Sequence, residues 1–194
     1  RQVIRSAIDL ARRYDVDQAH ALHVSEIAKQ LFDQMESEHE MDRRYETLLA
    51  AAAILHEIGR YVDVRAYHKH TMYLIRNSEL FGLSRQELAL VSLIARYHRR
   101  ASPQPSHEAF TSLDRDERVA VSKLAAILRL AKAIDASRSQ RVTNVRFQRR
   151  KNSIDIHVSG VEDLALEQLS LRQMGSLFEE IYGLPVQLRV DRNK

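Results

Sequence analysis

Three features of the sequence predict a mainly helical protein with a small C-terminal α+β lobe. Five glycines and three prolines in 194 residues leave room for long helices joined by short connections. Up to residue 137 the apolar residues recur at the 3.6-residue period of helices that bury one face. Beyond it, Ile154, Ile156 and Val158, and again Val186, Leu188 and Val190, alternate with other residues as half-buried strands do. A helical domain over 1–137 and a β-β-α-β lobe over 138–194 are the expected divisions.

At this length, with 44% hydrophobic residues, the chain can bury one substantial core. It has no cysteine, which excludes disulfides and thiolate metal ligands, so a bound metal must use imidazole and carboxylate. That composition fits a reducing cytoplasm. No run of about 18 apolar residues and no leader pattern argues for a membrane. A formal charge of +4 and a pI near 9.5 suit anionic ligands. Arg1 in place of an initiator methionine points to an excised or processed product, with room for a catalytic domain upstream.

Taken in order, Val3–Tyr14 has apolar residues at 3, 4, 7, 8, 10 and 11, an amphipathic helix. Asp17 suits the N-cap of the next helix, where Val24, Ile27, Ala28, Leu31 and Met35 follow His20 on one stripe. His23 lies about 60° off that stripe, so His20 is the inward histidine. After a charged connection over Glu36–Arg44 comes LLAAAAILHEIG, Leu48–Gly59, apolar on nearly every side and ended by Gly59 in the C′ position. His56 and Glu57 stand at its inner end. An ionisable pair there costs several kcal/mol unless it is paired or coordinated.

Arg60–Tyr67 reads as a loop, followed by a helix entrance carrying His68 and His70, which the pattern does not separate. Ser84 and Glu87 form a capping box for a helix on which Val91, Ile94 and His98 share a stripe, with Arg99 and Arg100 directly after. Ala101–Arg115 is a loop that could act as a lid. On the helix Glu117–Ser137, Leu124, Leu128 and Ala131 are in register with Asp135, an acid at a helix end that disfavours acids. Ala136–Lys151 then holds six arginines and lysines and no acid, with a strand near Val142–Phe147 and an RRKNS turn. Leu164–Tyr182 is the helix between the strands.

Each of these polar residues, taken singly, has an ordinary structural role. Taken together, His20, His56, Glu57 and Asp135, with His98 and His68 or His70, continue buried stripes on five helices that packing brings to one place. Histidines with carboxylates suit a divalent ion such as manganese, magnesium, iron or zinc, which lowers the pKa of a bound water.

The strings HALHVS, LHEIG, YHKH, YLIRNSEL, ARYHRR and LRLAKAID together resemble the C-terminal half of the exopolyphosphatase/guanosine pentaphosphate phosphohydrolase family. Behind it stands the HD superfamily of metal-dependent phosphohydrolases, with its H…HD…D signature in an HD-domain helical core. The resemblance covers roughly residues 1–190 and implies His20 at the first histidine, His56–Glu57 at the doublet and Asp135 at the last aspartate. Glu57 departs from that signature, since its side chain reaches about 1.5 Å further than an aspartate. Ester chemistry in the family belongs to N-terminal actin-like domains, whose phosphate loops are absent here, and the helical part is implied to guide polyphosphate and to support a homodimer.

Two functions follow. In the first, a metal-dependent phosphohydrolase holds its ion on His20, His56, Glu57 and Asp135, with His70 and His98 in the chemistry. In the second, a non-catalytic module binds polyphosphate or a phosphorylated nucleotide. His68, Arg96, Arg99 and Arg100 are the expected phosphate contacts, together with the basic hairpin that follows Asp135. Nucleic acid is disfavoured, because few aromatics interleave the basic residues.

Overall fold

The computed structural model describes residues 1–99 and 101–192. Its helices are α1 (Gln2–Arg13), α2 (Gln18–Gln34), α3 (Glu36–His39), α4 (Arg43–Leu55), α5 (Tyr67–Arg76), α6 (Arg85–Arg96), α7 (Glu108–Thr111) and α8 (Arg115–Ile134). A small sheet follows, β1 (Arg146–Arg149), β2 (Ile154–Ser159) and β3 (Val186–Asp191), with α9 (Ala165–Met174) and α10 (Ser176–Tyr182) between β2 and β3. The fold is mainly α with a small β-containing lobe, as the apolar periods predict.

The start signals hold in detail. Asp17 caps α2 by accepting from the His20 amide, Asp42 caps α4, and the Ser84–Glu87 capping box opens α6. Asp114 and Glu117 form a second capping box, which starts α8 two residues before the expected Glu117. The central helix α4 buries every residue from Leu48 to Leu55 and packs against α1, α2 and α6. Helices α2 and α8 lie beside each other, and α9 and α10 rest on α8. One contiguous core runs from Val3 to Leu188 through both the helices and the lobe.

Four expectations need correction. Helix α4 ends at Leu55, and Gly59 lies in a 3-10 turn, Ile58–Tyr61, with no C′ role. Its glycine is required by close approach, because a Cβ there would sit 2.1 Å from the Tyr67 carbonyl oxygen. The connections 36–44 and 101–115 each contain a single helical turn, α3 and α7. The helix expected over Leu164–Tyr182 breaks at Gly175, where a Cβ would meet the Leu171 carbonyl oxygen at 2.8 Å.

The last correction concerns the strand near Val142–Phe147, which begins only at Arg146. The residues before it bond to a helix. Gln30 donates to the Thr143 carbonyl and accepts from the Val145 amide, both at 3.0 Å, while Gln34 donates to the Val145 carbonyl at 2.8 Å and accepts from the Phe147 amide at 2.7 Å. Two glutamines of α2 thus complete the backbone pairing that a neighbouring strand would supply. The hairpin across Arg150–Ser153 pairs β1 with β2 antiparallel, and the α9–α10 crossover brings β3 parallel to β2.

Candidate phosphate and metal site

The stripe of α2 carries His20 inward at 2% exposure, while His23 stays half-buried at the flank. The end of α4 delivers His56, fully buried, and Glu57, 5% exposed. The turn after α6 delivers His98 and the C-cap of α8 delivers Asp135, both buried.

The two histidines are oriented by their rear nitrogens. His20 Nδ1 lies 2.6 Å from Asp135 Oδ2, and His56 Nδ1 lies 2.5 Å from the Ala53 carbonyl oxygen. Both Nε2 atoms therefore face Glu57 Oε1, at 3.3 and 3.4 Å, and neither makes a hydrogen bond. His20, His56 and Glu57 together form a buried group able to hold a metal ion. Carboxylate or carbonyl support behind each imidazole is the usual arrangement around a metal-ligating histidine, so the donor set fits a first-row divalent ion. Such an ion would supply a Lewis acid and an activated water.

Asp135 stands behind this group. One of its oxygens meets His20, and its other contacts come from the Gln140 amide at 2.8 Å and the Gln140 side chain at 3.2 Å. As the C-cap of α8 it holds His20 from behind and is itself held by the turn at Gln140, while the three donor atoms that converge are those of His20, His56 and Glu57.

Glu57 is also held by arginines. Arg138 grips it as a fork, Nη1 to Oε1 at 2.9 Å and Nη2 to Oε2 at 3.1 Å, and Arg60 Nη1 adds a contact to Oε2 at 2.9 Å. Burial alone would raise the Glu57 carboxyl; His20, His56 and Arg138 hold it far below the ordinary carboxylate range. Burial likewise opposes the charge on His20, but Asp135 and Glu57 outweigh it and raise that imidazole. His56 and His98 are lowered by burial, His98 the more strongly, with Lys132 adding to the effect.

Beside the carboxylate lies a ring of cations around Tyr67. Arg99 sits over its ring at 4.5 Å, with Lys132 Nζ at 5.8 Å and Arg60 at 5.9 Å from the centroid. Lys132 also donates to the Tyr67 hydroxyl at 3.1 Å, and His98 Nε2 lies 3.0 Å from the same oxygen. Burial pushes Lys132 down to about 8, against the pull of Glu57. A cleft of about 420 Å³ opens onto Glu57, Arg60 and Arg138, with Tyr14, Asp17 and Tyr61 also in its lining, and Arg60 is the member of the ring that it touches. A larger cleft of about 890 Å³ lies between Gly160 and Arg192 on the lobe and touches none of the cluster.

The remaining expected residues divide. Of the pair on α5, His68 is the buried one and His70 is half-buried; among the described residues no hydrogen bond or ion pair joins His70 to the cluster. His98 packs edge-on against His56, with ring centroids 5.0 Å apart, and is tied by its two nitrogens to Ala95 and Tyr67. Arg99 joins the cluster. Arg96 does not, because its guanidinium turns to Met72 Sδ at 3.6 Å and to the Tyr97 ring. Arg100 lies outside the described residues.

Sequence reasoning missed Tyr67, Arg60, Lys132 and Arg138. The signal was present, since a buried glutamate demands a counter-charge. Arg60 is three residues from Glu57, and Lys132 is three residues before Asp135 on the same helix face.

The fold and this geometry agree with the comparison to known families. A family model described as Ppx/GppA phosphatase, domain III, matches residues 3–178, nearly the whole of the helical core and most of the lobe, and the chain therefore belongs to the exopolyphosphatase/GppA family as its C-terminal region.

Proposed function

We propose that this chain is a phosphoanion-binding module whose ligand is polyphosphate or a phosphorylated nucleotide. One observation carries the reading. Arg99 and Lys132 converge on Tyr67 and form no ion pair among the described residues, while the nearby Glu57 is already matched by Arg138 and Arg60. Two cations held together without a carboxylate repel each other and favour an arriving anion, and Arg60 is half-exposed beside them.

The test is equilibrium binding of labelled polyphosphate, with a nucleoside triphosphate as competitor. Affinity should fall steeply as salt rises and be unchanged by a chelator. The double variant Arg99→Ala, Lys132→Met should weaken binding by at least about tenfold, the value of one charge-assisted contact. Salt-independent binding, or binding unchanged in that variant, refutes the reading.

A specific observation favours a second reading, metal-dependent phosphohydrolysis: the two Nε2 atoms of His20 and His56 that face one carboxylate oxygen without a hydrogen bond. There, His98 and Arg99 would stand beside the phosphate. Phosphate release from polyphosphate that a chelator abolishes and manganese restores would place this reading first.

A further inference from the structure

We propose that Arg138 is the built-in counter-charge that decides whether the His20–His56–Glu57 group takes a divalent metal, and that in the unaltered chain it keeps metal out. Glu57 Oε1 is the single oxygen that both free Nε2 atoms face, and Arg138 Nη1 is bonded to it at 2.9 Å. An ion coordinated by that oxygen and the two imidazoles would share Oε1 with the guanidinium. Coordination therefore favours opening of the fork. The alternative, a doubly charged ion beside a guanidinium in a buried site, is strongly repulsive.

The placement of Arg138 is built into the chain. It lies in the turn after α8 with a positive φ of 55°, and Gln140 two residues on has φ of 56°. Neither residue is glycine, so the turn carries a conformational cost that its contacts must offset. Those contacts are the Arg138 fork on Glu57, Arg138 Nε to Asp17 Oδ2 at 3.3 Å, and the Gln140 bonds to Asp135. Asp135 in turn fixes His20. One short segment thus both orients a histidine donor and neutralises the carboxylate donor. Arg60 does not play this part: it bonds the other oxygen, Oε2, and is half-exposed. The proposal is independent of the phosphate reading, which rests on Arg99 and Lys132.

The experiment is calorimetric titration of Zn²⁺ into the unaltered chain, Arg138→Gln, Arg138→Met and Arg138→Lys, with thermal unfolding of each recorded first. Arg138→Gln and Arg138→Met should bind zinc about ten- to a hundredfold more tightly than the unaltered chain, the range expected for losing a competing charge-assisted hydrogen bond. The gain should vanish when His56→Ala is added. Arg138→Lys keeps the charge and should stay weak. Equal affinity in all four chains overturns the proposal, as does a gain that survives His56→Ala. The unaltered chain tests the proposal even where the Arg138 variants fail to fold: zinc bound with Kd of about 1 μM or below, and lost in His56→Ala, also overturns it.

Discussion

Two buried carboxylates, Glu57 in the helical core and Asp155 in the lobe, look alike at first sight. Each is gripped by two arginines, Glu57 by Arg138 and Arg60, Asp155 by Arg150 at 2.5 Å and Arg189 at 2.9 Å. Their surroundings differ. Asp155 Oδ1 meets Ser153, and its arginines are both about half-exposed, a thin polar cover over one acid. Glu57 faces two imidazole Nε2 atoms that complete no hydrogen bond, and Lys132 and Arg99 lie nearby with no ion pair of their own among the described residues. A buried ion pair by itself is architecture. What marks a site is polar capacity left over after the pair has formed.

The largest expected effect breaks the two apart by stability. Glu57→Ala strands Arg138 and the buried Lys132 beside two histidines, and should cost about 3 kcal/mol, toward the low end for an opened buried pair. Asp155→Ala should cost less, about 1–2 kcal/mol, because Arg150 and Arg189 can turn into water. Urea denaturation at neutral pH measures both. Equal losses would show that the cations around Glu57 relax into water as readily as Arg150 and Arg189 do.

Next comes pH. Lys132 loses its proton near 8, well below an ordinary lysine, because burial disfavours its charge. The protonated form is the one that attracts phosphate, so affinity should hold below pH 8 and fall above it, by up to about tenfold per pH unit. For stability the sign is opposite. Between about 8 and the usual lysine value the unfolded chain binds the extra proton, so the cost of burying this charge fades as pH rises through that window. Polyphosphate titrations at pH 7 and 9 check the first effect, and Lys132→Met should flatten the profile. Nothing at Asp155 should respond over the same range.

How much of this was legible in the sequence follows from the kind of signal each part leaves. His20 begins an apolar stripe of 3.6-residue spacing and His98 and Asp135 end two others, and all three are buried. His56–Glu57 announced itself as a charged pair at the end of an apolar run. Arg138 left no periodic trace, because it sits in a left-handed turn where helical spacing has no meaning. Tyr67 opens α5 and read as the end of a loop. Gln30 and Gln34 carry no apolar signal, and only the folded chain shows that they pair with the backbone at 143–147. Periodicity reports what a helix buries, and it is silent on what a turn brings in.

The smallest stability effect gives the sharpest comparison. Arg60→Gln and Arg150→Gln each remove one half-exposed arginine from a buried carboxylate that keeps its other arginine, Arg138 or Arg189. Each should therefore cost no more than about 1 kcal/mol, as for partly exposed ion pairs in general. On stability alone the two substitutions are expected to be indistinguishable. On binding they should diverge: Arg60 sits with Arg99 and Lys132 around Tyr67, so Arg60→Gln should weaken polyphosphate binding several-fold and lower its salt dependence by roughly one charge. Arg150→Gln, acting on a carboxylate of the lobe and outside the ring around Tyr67, should leave the core's affinity unchanged. If both substitutions weaken binding equally, the ligand is tracking the general positive charge of the chain, and the basic hairpin of the lobe is as much the binding surface as the ring around Tyr67.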